Sequence, residues 1–206
     1  MARVEKDIMQ EMNNGKTDAR TVRTRRDLGN ALVELMQEKN FDDISTKDIT
    51  DRALVAKNTF YNNFSDKNEL LDFVMKRYEE ELLEKSEPVI RTYNVMFRAA
   101  FFKKMIREFT TYISNMDLPV KKIISNDKSH AFYLALMAFT YSFFDELNEK
   151  CKGLFDSHIE SFVAKTFFAG GFANFVYSYF LNNEKYNKRK LDDDLFRLCS
   201  PTLSLI

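Results

Sequence analysis

The sequence predicts an all-α chain, with an N-terminal helix-turn-helix three-helix domain followed by a larger helical body for dimerisation and ligand binding. Three observations predict it. Apolar residues recur at helical spacing along most of the chain. Gly and Pro number only five and three in 206 residues, few for a sheet protein with many tight turns. The stretch Ser45 to Leu70 reads as two short helices joined by a tight turn, and the second has an exposed polar face. Such a unit can place a helix in the major groove of DNA.

The elements follow in order. Residues 1–20 are charged and polar and read as an N-terminal arm. Residues 21–72 are assigned to the helix-turn-helix domain and 73–206 to the body. From Thr24 to Lys39, Leu28, Leu32, Leu35 and Met36 form an amphipathic stripe. Asn40 ends that helix, and Phe41 and Ile44 turn inward. Ser45 or Thr46 caps the next helix, and Asp48 stands where a capping box needs an acid. Leu54-Val55-Ala56 makes the turn. Lys57 to Phe64 forms the second helix, with Phe60 and Phe64 four apart on the buried side. Ser65 or Asp66 caps a further helix through Leu70, Leu71, Val74 and Tyr78, expected to stop before Pro88. Longer helices are expected over 91–116, 120–126, 129–150, 155–182 and 190–199. Phe155-Asp156-Ser157 looks like a start and Asn182-Asn183 a stop, with Pro119 and Pro201 as punctuation.

Composition bounds the chemistry. The 45% apolar content, with 20 Phe, is ample for a packed core. The formal net charge is zero, so any affinity for DNA has to come from local placement of Lys and Arg. Cys151 and Cys199 have no framework spacing, which fits reduced thiols and a cytoplasmic setting. Two His and two Cys far apart lack metal-ligand spacing, so no metal is expected, and no cofactor. No signal peptide or membrane span is expected. The chain lacks a nucleophile–base pair, a carboxylate–His metal set and a phosphate loop, so an enzyme is not expected.

The second helix carries the recognition chemistry. With Phe60 and Phe64 inward, Lys57, Asn58, Tyr61, Asn62 and Asn63 are left toward solvent. Asn suits adenine edges, and Lys suits guanine or phosphate. Thr59 is small enough for close approach and can touch a thymine methyl. Thr46 and Lys47, at the amino end of the preceding helix, can hold a backbone phosphate. The cluster Arg20, Arg23, Arg25 and Arg26 is either a solvated helix start or a contact to phosphates or the minor groove, with Arg23 and Arg25 as the candidates.

The string from Thr59 to Leu70, with Thr59, Tyr61, Phe64, Lys67 and Leu70 at the anchor positions, resembles the DNA-binding domain of TetR-type transcriptional regulators. The resemblance covers Thr24 to Phe73. It implies phosphate contacts at Thr46, Tyr61 and Lys67, and base-edge contacts from Lys57, Asn58, Thr59 and Asn63. Lys47 sits where members of the family touch a base or a phosphate. One departure stands out: the turn usually carries Gly where this chain has Leu54. Either the turn is strained or its geometry differs.

The resemblance also implies a homodimer, formed through a four-helix bundle of the last two long helices of each subunit. In 155–182 apolar residues wrap most of the helix, and small residues sit mid-helix at Gly170 and Gly171. A dimer seam is expected at Phe168, Gly170, Gly171, Phe172, Phe175 and Tyr179; a local kink is the other reading of the glycines. That segment loosely resembles the body type common in Firmicutes regulators. Family analogy puts an effector pocket in the 91–150 region, whose reservoir runs from Phe97 to Phe144. Phe97, Phe101, Met105, His130, Met137 and Tyr141 are the expected lining, suited to a small apolar or aromatic effector. The expected protein is a homodimeric repressor bound to a palindromic operator in double-stranded DNA and released by an effector. A regulator without a small-molecule effector is the alternative, its body a constitutive dimer or a protein-docking module.

Overall fold

The computed structural model describes residues 19–115, 117–152, 154, 160–181 and 188–199. Among these residues the secondary structure is helical, with no strand. The head holds α1 (Ala19–Met36), α2 (Thr46–Arg52), α3 (Lys57–Tyr61) and the first turns of α4 (Lys67–Ile90). The body adds α5 (Arg98–Asn115), α6 (Asp117–Asn126), α7 (Ala131–Lys150), α8 (Ser161–Leu181) and α9 (Lys188–Cys199). Short 3-10 turns, Phe41–Asp43 and Val95–Phe97, precede α2 and α5. The expected arm up to residue 18, the start at 155–157, the stop at Asn182-Asn183 and Pro201 lie outside the described residues.

The head core is the expected stripe. Leu28, Leu32, Leu35 and Met36 of α1 pack with Phe41, Ile44, Ile49, Phe60, Phe64 and Leu70, all buried. Gly29 lets α1 cross α4 closely, since a Cβ there would lie 3.0 Å from the Val74 side chain. The Ser45–Asp48 capping box forms: Ser45 Oγ accepts from Asp48 N at 3.1 Å, and Asp48 accepts from Ser45 N at 2.8 Å. Asp66 caps α4 by accepting from Asn68 N and Glu69 N at 2.8 and 2.9 Å.

The body is an aromatic stack. Phe144 of α7 lies against Phe168 and Phe172 of α8, with ring centroids at 5.5 and 5.3 Å, and Phe109 of α5 meets Phe172 edge-on at 4.7 Å. α9 docks on α5 through Thr110, whose hydroxyl donates to buried Asp192 at 2.6 Å, and through the Lys103–Asp193 pair at 2.8 Å. Burial pushes the thiols of Cys151 and Cys199 up to about 11, which keeps them protonated near neutral pH.

Head and body meet through a small polar junction. Asn126, the last residue of α6, donates its amide to the Gln37 carbonyl at 2.9 Å. Asn40 accepts from the backbone and the hydroxyl of Ser129, both at 3.1 Å. Buried Asp127 accepts from Phe132 N and Tyr133 N at 3.0 Å, and from Tyr177 Oη at 3.2 Å. Burial and the adjacent carboxylate push the Tyr177 hydroxyl up to about 12.

Several boundaries differ from expectation. α4 does not stop before Pro88 but runs to Ile90. Proline there forgoes one backbone bond within the last turn, a loss that this near-terminal position limits. The 72/73 division falls inside α4, so head and body share a helix. The expected 91–116 helix begins at Arg98, because Arg91 and the following turn end α4 and Asn94 caps the 3-10 turn by accepting from Met96 N at 2.9 Å. Pro119 lies in the first turn of α6, where its missing N–H costs little. The second head helix ends at Tyr61 rather than Phe64, although Phe60 and Phe64 are both buried as expected.

The turn resolves the question left by Leu54. Val55 N donates to Thr50 O at 3.0 Å and Leu54 N to Asp51 O at 3.3 Å, the paired bonds of a Schellman cap. Leu54 takes the left-handed position of that cap, at φ 57°, and is 92% exposed. The turn keeps the geometry that glycine would serve, and leucine strains it by about 1–2 kcal/mol. Leu54→Gly should therefore raise stability by about 0.5–1 kcal/mol after the added freedom of the unfolded chain is subtracted. The check is the denaturant midpoint of the two proteins; an unchanged or lower midpoint contradicts the strain.

Candidate nucleic-acid interface and ligand cavity

α3 is too short to be stable alone and has no side-chain cap, since Ala56 stands at its N-cap. Its orientation comes from Phe60 and Phe64, whose ring centroids lie 6.0 Å apart, and from Phe73, 5.4 Å from Phe64. With those rings inward, Lys57, Asn58 and Tyr61 are exposed and Thr59 is half-buried. Lys57 Nζ lies 5.9 Å from the Tyr61 ring centroid. Asn63 is half-buried and turns back, donating its amide to the Thr59 carbonyl at 2.8 Å.

On α2, Thr46 is half-buried and Lys47 exposed. Lys47 pairs with Asp51 at 3.0 Å, and that hydrogen bond holds its amine above the ordinary lysine range. Arg52 is tied to Glu38 at 2.9 Å and Glu34 at 3.4 Å, which staples α2 to α1.

Two cations sit differently from expectation. Lys67 was expected at a phosphate, but its ammonium donates to the carbonyls of Phe41, Asp42 and Ile44 at 2.8, 3.1 and 3.0 Å. It also lies 4.6 Å from the Phe41 ring centroid. An ammonium has three donors, and all are engaged within the head. The Arg25 guanidinium is stacked on Phe64 and Phe73 at 4.9 and 4.6 Å, so it braces the anchors of α3; Arg23 is exposed.

The comparisons agree with this geometry. Residues 30–74 match the family described as bacterial regulatory proteins, tetR family. That match covers the head, which is thus a tetR-type DNA-binding domain. A curated relative, the uncharacterized HTH-type transcriptional regulator YxbF of Bacillus subtilis (strain 168), is 34% identical over 68 residues. That match covers 32% of this chain and 18% of the relative, so this chain spans less than a fifth of that protein's length. Among solved structures, the fatty acid degradation regulator FadR from Bacillus halodurans shares the fold with a TM-score of 0.62 at 15% identity, covering 85% of this chain and 93% of that one. FadR from Bacillus subtilis in complex with stearoyl-CoA gives 0.57 at 17% identity, covering 88% and 98%.

The body holds a cavity of about 290 Å³. Phe109, Tyr112, Phe132, Leu136 and Phe139 line it, with residues of α1, α4, α6 and α8. None of the expected lining residues does. Phe97 is exposed at the 3-10 turn, and Phe101 packs edge-on against Tyr93 at 4.9 Å. Met105 borders a separate void of about 20 Å³. His130 is exposed, with φ 60°, at the N-cap of α7. Met137 and Tyr141 are half-buried, and Tyr141 lies under the Lys165 ammonium at 5.6 Å. On α7 the cavity takes the Phe132–Leu136–Phe139 stripe, and the expected pair lies on the next one round. Among the described residues there is no His/Cys/Asp/Glu group that could hold a metal, and no helix long and apolar enough to cross a membrane.

The expected seam is corrected in part. Phe168 and Phe172 point into the chain's own core, since the aromatic stack with α5 and α7 claims them. The outward stripe of α8 instead carries Val163, Phe167, Gly171, Asn174 and Leu181, with Phe167 64% exposed. A Cβ at Gly171 would meet nothing within 4 Å among the described residues, so none of these requires glycine there. Phe175 and Tyr179 are half-buried and pack on each other at 5.8 Å. α8 is continuous through the glycines, with no break in its helix.

Two outcomes follow for the head. Lys67→Met removes three hydrogen bonds to backbone carbonyls and should lower stability by about 1–3 kcal/mol, read from denaturant unfolding. If it left stability intact and only weakened DNA binding, the internal clamp would be refuted. The carboxyls of Asp48, Asp66 and Glu69 are all held below their usual range, chiefly by hydrogen bonds from Ser45, from Glu69 N and from Ser65 N. The unfolded chain binds those protons near pH 4 while the folded head resists them. Stability present above pH about 4 is therefore lost as pH falls below it, so the melting temperature should drop between pH 7 and pH 3. A flat profile would remove these caps from the account.

Proposed function

We propose that this chain is a TetR-family regulator: a cytoplasmic, homodimeric transcriptional repressor that binds a palindromic duplex and is released from it by a small apolar effector. The observation that carries the reading is α3: two buried phenylalanines hold Lys57, Asn58 and Tyr61 outward on a short rod. Lys57, Asn58 and Thr59 read base edges, and Thr46 and Tyr61 hold phosphates. Lys47 and Arg23 add charge at the backbone. Asn63 is the weakest member, because its amide already serves the Thr59 carbonyl. The outward stripe of α8 forms the seam with a second copy, with Gly171 allowing close helix approach and Phe167 supplying the buried anchor. An effector reading, rather than a constitutive dimer, is favoured by the cavity at the head–body junction.

Selection of bound sites from random duplex DNA tests the whole reading and should return a two-fold symmetric site, with half-sites about one helical turn apart or somewhat more. Asn58→Ala should relax base preference at one position by about 1–3 kcal/mol. Tyr61→Phe should weaken selected and random duplexes alike, and Arg23→Gln should reduce the salt slope by about 1. Phe167→Glu should yield monomers in sedimentation and abolish binding to the symmetric site. A dimeric Phe167→Glu protein would displace the seam from α8, and a Tyr61→Phe protein with altered preference would reverse the roles of Tyr61 and Asn58.

A further inference from the structure

The cavity is walled by both halves of the molecule. Val33 and Met36 of α1 and Val120 and Ile123 of α6 are all among its lining residues. Val33 and Met36 stand on the last turn of the head's first helix. Asn126, one turn beyond Ile123, holds the Gln37 carbonyl just past the end of α1 at 2.9 Å. The α1–α6 gap is thus a cavity wall on one side and the head–body junction on the other.

The lining decides the chemistry of an occupant. Among the described lining residues none is charged, and Asn115 and two tyrosines are the ones with polar side-chain groups. The Tyr112 hydroxyl is already directed at the Tyr78 carbonyl, 3.4 Å away. An ion moved from water into such walls would lose its hydration with nothing to replace it, a loss of several kcal/mol. The volume of about 290 Å³ stands at the lower edge of the roughly 300–1,000 Å³ range of small-molecule sites. That volume and this lining suit a compact apolar body.

We infer that the cavity takes a compact, uncharged apolar molecule, and that this molecule touches the head directly through Val33 and Met36. The inference rests on the effector reading above and adds to it the ligand class and the point of action. Filling the gap presses α1 and α6 apart at the turn where Asn126 ties them, so the ligand favours one head position over the other. That differential affinity is the whole of its leverage on DNA.

The test uses the full chain and the uncharged fluorophore N-phenyl-1-naphthylamine, first without DNA. Expected are saturable binding at one site per chain, displacement by 1-decanol, at least about tenfold weaker displacement by decanoate, and none by stearoyl-CoA. Val33→Phe should lower probe affinity about tenfold or more, and the near-isosteric Val33→Thr should lower it several-fold with the helical content unchanged. With a selected duplex, saturating 1-decanol should change DNA affinity by about fivefold or more. Asn126→Ala should keep probe affinity and shrink that factor, which a purely structural role for Asn126 would not do. Absent probe binding, or displacement by stearoyl-CoA as effective as by 1-decanol, overturns the ligand class. Unchanged probe affinity in both Val33 variants overturns the contact with the head, and unchanged DNA affinity under 1-decanol overturns the lever. A chain that retained no duplex would sink the DNA reading, while the probe arms would still decide the ligand class.

Discussion

A five-residue helix without a side-chain cap cannot hold its own direction, and α3 is such a helix. Its outward polar face exists because Phe60 and Phe64 are buried on the other side. Burying each ring supplies about 1.5–3 kcal/mol, far more than a helix of this length lacks in propensity. The surrounding charges protect that burial rather than adding to it. Arg25 covers the Phe64 and Phe73 rings, and Lys67 closes the loop from Phe41 to Ile44 over the same core. Two cations that a charge count would assign to DNA are spent inside the head. The reading face is thus a consequence of aromatic packing, and the strained Schellman turn at Leu54 is tolerated because the anchors over-determine where α3 must lie.

The same economy appears where head meets body. α4 runs unbroken from the head core at Leu70 to the body core at Leu82 and Ile90, so the two share one rigid element. The other link sets two small polar ties, Asn126 to Gln37 and Ser129 to Asn40, beside the apolar residues that line the cavity. Amide bonds of this kind each contribute about 0.5–1.5 kcal/mol, which is in the range that a bound ligand can offset. A cavity bordered by both α1 and α6 sits where this weak link can be biased.

The head was legible because its signals are local. The capping acid lies three residues after Ser45, the anchors lie four residues apart, and the apolar stripe of α1 has one face. The limits of that legibility are also physical. Lys67 and Arg25 have the sequence appearance of exposed cations, and only the tertiary position of Phe41, Phe64 and Phe73 gives them internal partners. In the body every stripe of α7 and α8 is aromatic, so periodicity alone does not say which faces the core, the cavity or solvent. Phe168 and Phe172 read as seam residues on that basis, and the aromatic stack with α5 and α7 took them inward. The walls given by Val33 and Met36 needed a contact between residues about ninety positions apart, which no local pattern encodes.

The charge of the head bears on why such a regulator would pair. Net charge over the chain is zero. Within the head, Lys47 is matched to Asp51, Arg52 to Glu34 and Glu38, and Lys67 is turned inward, while Arg23 and Lys57 stand exposed. Among its described residues one head therefore offers few exposed cations, and the counterion-release term they would supply is small. In the proposed dimer, two heads fixed at one spacing would alter the arithmetic without adding a contact type. The second head binds at an effective concentration near the millimolar range, which can raise affinity by about 10²–10⁴. A weakly charged head thus discriminates more sharply between a symmetric site and random duplex than a strongly basic one would. In the proposed dimer it would also lose most of its affinity when the spacing is disturbed, so a modest push at the α1–α6 gap would suffice for the proposed release.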